Sequence, residues 1–266
     1  MNHLLREHAP ITESGWQLLD REARERLTPA LGARKLVDFS GPHGWEHSAT
    51  NLGRTEPLPA GPAEGVSGLR RRVLPLAEMR ADFEVSRAEL RDADRGADDI
   101  DLAALDTAAH RIAVAENVAV LQGWPGVVGG IVESASHEPI PLGDAGGGYA
   151  RAVTGAVERL LESGVAGPYG LALGTAQYRL VTETVETSGY LLREHLQTIV
   201  EGPITWAPGV SGAVVLSLRG GDFVFDSGQD VSIGYDSHDG LTVRLYLEQS
   251  FSFHVATPEA AVALTS

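Results

Sequence analysis

From Ile204 to the end of the chain the residues alternate as a sheet does, and this late block of strands is what any fold must accommodate. "GAVVLSL", "FVFDSG", "DVSIGY", "TVRLYLEQSFSFHVA" and "AAVALTS" are apolar or alternating runs. Gly-Gly, Ser-Gly and Asp-Gly pairs separate them as turns. In "TVRLYLE", Val243, Leu245 and Leu247 project to one face, with Thr242, Arg244, Tyr246 and Glu248 opposite. Upstream, helical spacing dominates. Helices early and strands late, with no internal repeat and no strong linker, predict an α+β chain.

Thr12 has the chemistry of an N-cap, and Trp16, Leu19, Ala23, Leu27 and Leu31 follow it at helical spacing, with Gly32 as the stop. The other face carries Asp20, Arg21, Glu22, Arg24, Glu25 and Arg26, so this amphipathic helix must lay one side on something. Residues 34–53 predict a short strand, a Gly-Pro turn and extended chain. "TEPLPAGPAEGVSGL" (55–69) is poor in core residues and rich in turn formers, a long excursion of the functional or disordered kind. "LRRRVLPLAEMRADFEV" then alternates as strands. A second helix is capped by Asp101, lined by Leu102, Leu105, Ala109, Ile112, Val118 and Leu121, and ended by Gly123. A third spans 149–163. "YGLALG" is a buried strand, Thr175 begins a helical turn, and "TVETSGYLLREHL" is a loop entering a short helix.

The chain has 266 residues and no cysteine, so disulfides, thiolate zinc sites and Cys nucleophiles are excluded. A formal charge of −15 lacks the basic face of a nucleic-acid binder, and Lys35 is its only lysine. No stretch approaches the roughly 18 apolar residues that span a bilayer, and "MNHLLREHAP" lacks a signal peptide's apolar core, so a cytoplasmic protein without a membrane partner is expected.

The densest acidic stretch is "RGGDFVFDSGQDVSIGYDSHDG" (219–240). Asp222, Asp226 and Asp230 are four apart with strand residues between them, and Asp236, His238 and Asp239 sit in a natural turn. Turn chemistry fits better than a calcium loop, which needs acids at alternate positions and a closing glutamate. The histidines form no HExxH pair. "GVSGL" and "GVSGA" each miss the last glycine of a nucleophile elbow, and "GDAGGGYAR" has no lysine after it to make a P-loop. No catalytic constellation emerges, and no metal or cofactor is expected.

In order and spacing, "HAPIT", "ARKLVDFSGPHGWE", "AGPYGLAL", "LLREHL", "ITWAP", "RGGDF", "GQDVSIGYDSHD" and "TVRLYLEQSFSFHV" resemble the family 1 encapsulin (linocin-like) shell proteins, and the likeness runs the length of the chain. The resemblance implies the major-capsid fold of tailed phages. Its parts would be an N-terminal helix and start of the P-domain (1–48), an extended E-loop hairpin (49–75), a P-domain with a long spine helix (76–131), an A-domain with a fivefold pore loop at 183–190 (132–228), and return strands with the C-terminal strand (229–266). It implies a non-enzymatic subunit of an icosahedral cage of about 60 copies, the order of the icosahedral rotation group. Such a cage encloses a cargo enzyme bearing a C-terminal targeting peptide, a dye-decolorising-type peroxidase or a ferritin-like iron oxidase, and gates small solutes.

By position the resemblance assigns Trp16, Leu19, Arg34, Asp38, Ile233 and Tyr235 to a cargo-binding groove, and Thr187, Ser188, Gly189 and Tyr190 to the pore. Arg70, Arg71 and Arg72 would pair with acids of a neighbouring subunit. Trp16→Asp is expected to leave cages assembled but empty. Two positions depart from the family pattern. Ala88 stands where some relatives bind flavin near a tryptophan, so no flavin is expected, and Ala33 replaces a frequent glycine. Two alternatives belong to other classes: a prophage capsid protein, disfavoured by the negative charge, and a soluble hydrolase using Ser211 and His195.

Overall fold

The computed structural model describes residues 3–143, 147–186 and 189–265. Thr12 is an N-cap as its chemistry predicts. Its hydroxyl accepts the Gly15 N–H at 3.0 Å, and α1 runs Glu13–Ala30. Leu19, Ala23 and Leu27 are buried along it, while Trp16 and Leu31 are half-buried. The helix stops before Gly32, where a Cβ would lie 2.2 Å from the Trp206 carbonyl oxygen, so only glycine lets the chain pass there.

The elements then follow as β1 (Asp38–Ser40), β2 (Ala49–Pro57), β3 (Leu69–Pro75), β4 (Ala77–Ser86), α2 (Arg87–Asp94), α3 (Ala103–Leu121) and α4 (Ile131–Ser134). After them come β5 (Ile140–Pro141), α5 (Gly148–Glu162), β6 (Tyr169–Leu173), α6 (Thr175–Glu183), α7 (Leu192–Val200), β7 (Glu201–Trp206), β8 (Ala213–Ser217), β9 (Phe223–Ser227), β10 (Ser232–His238), β11 (Thr242–Val255) and β12 (Ala261–Thr265). The excursion around residues 55–69 is the outer part of a hairpin: β2 and β3 pair antiparallel from Ala49↔Pro75 to Pro57↔Leu69. Asp101 does not occupy the N-cap position of α3. Leu102 does, because its side chain is needed in the core, and Asp101 accepts the Ala103 N–H from one residue further out at 3.0 Å.

The strands form two sheets besides the hairpin. One has the order β1-β9-β11-β10, with β4 on the other side of β11; the second has the order β5-β12-β8-β6-β7. β11 joins two cores. Val243, Leu245 and Leu247 pack with α1, α3 and β4, whereas Phe251 and Phe253 enter the core shared with the second sheet and α5. Phe251 is paired with Ala77 on one side and Ser227 on the other, the point where β9 takes over from β10 as neighbour. Fully burying each such side chain contributes roughly 1.5–3 kcal/mol. No described helix is long and apolar enough to cross a membrane.

α1 and α3 are also fastened by polar groups. Asn117 is buried on α3; its Oδ1 accepts the Ala33 N–H at 2.9 Å and its Nδ2 donates to the Ala30 carbonyl at 2.8 Å. One buried side chain thus ties the last carbonyl of α1 and the chain just beyond its stop to α3.

Candidate functional site

A cleft of about 480 Å³ opens between α1 and β10. Ala23, Leu27 and Leu31 supply one apolar wall, with Ile233 and Leu247 facing them. Arg6, Asp20, Arg24, Arg34 and Asp230 give it a charged rim. Its position follows from chain direction: the same helical stripe that buries Leu19 continues through Ala23 and Leu27 until the helix runs past the sheet.

One end is closed by residues 4–8. The Tyr235 N–H donates to the Leu4 carbonyl at 2.9 Å, and Arg6 Nε donates to the Ile233 carbonyl at 2.8 Å. The Arg6 guanidinium also pairs with Asp20 and lies 4.4 Å above the Trp16 ring. The segment therefore covers part of the edge of β10 that β11 does not use.

Arg34 forms the other end. It is forked onto Glu116 (Nε–Oε1 2.8 Å, Nη2–Oε2 2.7 Å), donates to Asp230 at 2.6 Å and to Gln249 Oε1 at 2.7 Å, and lies 5.1 and 5.3 Å from the rings of Phe39 and Phe225. Burial pushes Glu116 above its ordinary carboxylate value despite the facing guanidinium. Burial also works against the Arg34 cation, but Glu116 and Asp230 outweigh it and raise its pKa.

Of the six residues assigned to a groove by resemblance, Arg34 and Ile233 line this cleft. Leu19 is fully buried and shapes the helix seat from below, and Trp16 packs between that core and Arg6. Tyr235 is half-buried, its hydroxyl 2.6 Å from His238 Nδ1. Asp38 is exposed on β1 and accepts the Gly221 N–H at 2.7 Å, outside the lining. Leu27, Leu31, Asp20 and Asp230 line the cleft without having been assigned to it. The unbroken i, i+4 stripe of α1 was the available signal for the two leucines.

Of the assigned pore residues, Thr187 and Ser188 lie outside the described residues. Gly189 and Tyr190 belong to a tight turn in which Val185 bridges Leu191 and the Glu186 N–H donates to the Tyr190 carbonyl at 2.8 Å. Tyr190 and Val185 are exposed, and His195 pairs with Glu186 at 3.0 Å. Among the described residues Ser211 accepts Gln122 Nε2 through its carbonyl at 3.5 Å, and no hydrogen bond joins it to His195 as nucleophile to base.

The acidic stretch 219–240 disperses. Asp222 binds Arg219, Asp230 binds Arg34, Asp236 binds Arg80, and Asp239 accepts the N–H groups of Leu241 and Thr242 in a turn. Asp226 alone turns toward histidines, His43 and His47.

A family model described as "Encapsulating protein for peroxidase" matches residues 1–252. A type 1 encapsulin shell protein from Rhodospirillum rubrum is 45% identical, over 99% of this chain and 96% of that protein. The chain belongs to the type 1 encapsulin shell-protein family. The shell protein of Mycolicibacterium paratuberculosis is 39% identical over the full length of both. Among solved structures, the virus-like particle from Pyrococcus furiosus superposes with a TM-score of 0.65 over 94% of this chain and 98% of that one, at 19% identity. The capsid of Myoviridae phage XM1 gives 0.55 over 90% and 92%, at 12% identity. These two share the fold, which is that of phage capsid proteins, and the chain is a structural shell subunit rather than an enzyme.

Proposed function

We propose that copies of this encapsulin subunit close into an icosahedral cage of about 60, and that the cleft between α1 and β10 docks the C-terminal targeting tail of an enclosed enzyme. The cleft carries this reading. It has apolar walls, charged groups of both signs at its rim, and room for several side chains of an extended peptide. A peroxidase is the favoured cargo over a ferritin-like iron oxidase, since the family description names one. The loop at 183–190 is the proposed solute gate, with Gly189 and Tyr190 its assigned pore residues among the described ones. Assembly runs through the β2–β3 hairpin, whose Leu58, Val66, Leu69 and Val73 are exposed on the isolated subunit; its exposed Arg71 and Arg72, and Arg70 beside Glu56 of the same hairpin at 3.4 Å, would meet acids of a neighbour.

Trp16→Asp is a blunt test, because Trp16 packs against the core beneath Arg6. Thr28 is exposed on α1 and lines the cleft. Thr28→Trp fills the cleft from a helix-surface position and leaves the core intact. Particles of that variant, coexpressed with a tailed cargo, should keep their size and lose at least nine-tenths of their load. Normal loading would remove the cleft from cargo docking.

A further inference from the structure

His43 and His47 reach Asp226 from a distant part of the chain. His43 Nε2 lies 2.8 Å from Asp226 Oδ1, and His47 Nε2 lies 3.1 Å from Oδ2. The two imidazoles are 4.8 Å apart, centroid to centroid, and one donor atom from each of the three residues falls within 4.8 Å of the others.

The backbone holds this cluster in place. The His43 N–H donates to the Ser227 carbonyl at 2.9 Å and the Gly44 N–H to the Gly228 carbonyl at 2.8 Å, which clamps the loop after β1 onto the end of β9. Gly41 makes the approach possible: its φ is +103°, and a Cβ there would lie 2.4 Å from the Ser227 oxygen. Beneath the histidines Asp226 is buried. The Thr50 hydroxyl donates to its Oδ2 and is itself 2.5 Å from the Ser252 hydroxyl. His43 and His47 are partly open to solvent.

We propose that His43, His47 and Asp226 form a binding site for a divalent first-row transition cation of the Zn²⁺ type. Two imidazoles and one carboxylate are a donor set such ions take, with Zn–N and Zn–O distances of about 2.0–2.2 Å. A cation at those distances needs donors about 3.3 Å apart. The two carboxylate oxygens already stand 2.8 and 3.1 Å from the imidazoles, and His43, the more exposed of the two, would rotate away from the Ser40 hydroxyl, 3.1 Å from its Nε2, to close on the ion. In the apo protein the imidazoles and Asp226 contact one another directly. A cation replaces these contacts, each Nε2 presenting its lone pair while the ring proton resides on Nδ1. Thr50 orients the carboxylate from behind, as outer partners of metal ligands do. Open positions remain on the solvent side for water. The site straps the loop that leads into β2, and therefore the root of the hairpin, to β9. A bound ion stabilises that junction by mass action.

The test uses untagged, cargo-free particles, stripped with a chelator and then equilibrated with Zn²⁺ alone. Metal retained per subunit after gel filtration should be close to one for the native chain. It should fall at least tenfold in His43→Gln/His47→Gln and stay unchanged in His110→Gln, whose histidine is exposed on α3. Zn²⁺ should also raise the thermal transition of native particles and leave that of the double variant in place. Equal retention by the native and doubly substituted particles, or none by either, overturns the proposal. If the double variant does not assemble, Co²⁺ decides with the native chain. Intense visible bands of a tetrahedral nitrogen–oxygen site are expected, and the weak spectrum of the hydrated ion overturns the site.

Discussion

Arg34 is the residue on which two parts of the fold meet, and its surroundings explain why it cannot be exchanged for another cation. Its forked contact with Glu116, the bond to Asp230 and the flanking rings of Phe39 and Phe225 use the planar guanidinium in ways an ammonium cannot reproduce. Glu116 is completely buried. Arg34→Ala strands that carboxylate and is expected to cost about 3–5 kcal/mol, read from chemical denaturation; a loss under about 1 kcal/mol would show the pair to be dispensable. Asp222 behaves differently with pH. Burial works against its charge, but hydrogen bonds from Arg219 and Thr257 outweigh that and hold it below its ordinary value of 3.8. Its contribution is therefore complete above 3.8 and is lost as the pH falls further through the lowered folded value. The stability gap between the native chain and Asp222→Asn should be constant from neutrality down to that point and close below it. A gap that instead widens on acidification contradicts the assignment. At this scale the sequence was only partly legible. Arg34 stood out, but Glu116, 82 residues away, and Gln249, 215 away, are polar residues in apolar-looking elements whose role depends on pairings no local pattern encodes. The same holds for Asp226, which local spacing assigns to turn chemistry and which the fold places against His43 and His47.

Elements were read more securely than residues, because caps and periods are local. Thr12 and the Leu19–Ala23–Leu27 stripe locate α1 to within a residue, and the alternation of Val243, Leu245 and Leu247 locates the inner face of β11. Less legible from local pattern was the excursion around 55–69, where turn formers mask the regular pairing of β2 with β3, and the hairpin at 49–75 was implied by the resemblance alone. That hairpin is the element least able to stand alone, since a two-stranded ribbon is marginal in water. Leu69 and Val73 are 66% and 48% exposed on it, far more than core packing would leave. Leu69→Asp/Val73→Asp should therefore cost the folded subunit little, within about 0.5 kcal/mol for each exposed position, and yet stop assembly. Circular dichroism would show native secondary structure, and gel filtration a species of subunit size. Full-sized particles from this variant would show that the hairpin is not an assembly contact.

At the scale of the whole molecule, the chain has the fold of phage capsid proteins and is 38–45% identical to several type 1 encapsulin shell proteins, and the proposed function requires it to close into a particle. The isolated chain leaves an extended hairpin with apolar residues in water and carries a formal charge of −15. The proposed cleft, gate and metal clamp all acquire their meaning inside such a particle. The decisive measurement is the mass and shape of the purified protein by light scattering with negative-stain imaging. Uniform hollow spheres of roughly 1.7 MDa, about 60 copies of a 28.2 kDa chain, are the expected result. A monodisperse monomer or dimer under the same conditions would contradict it.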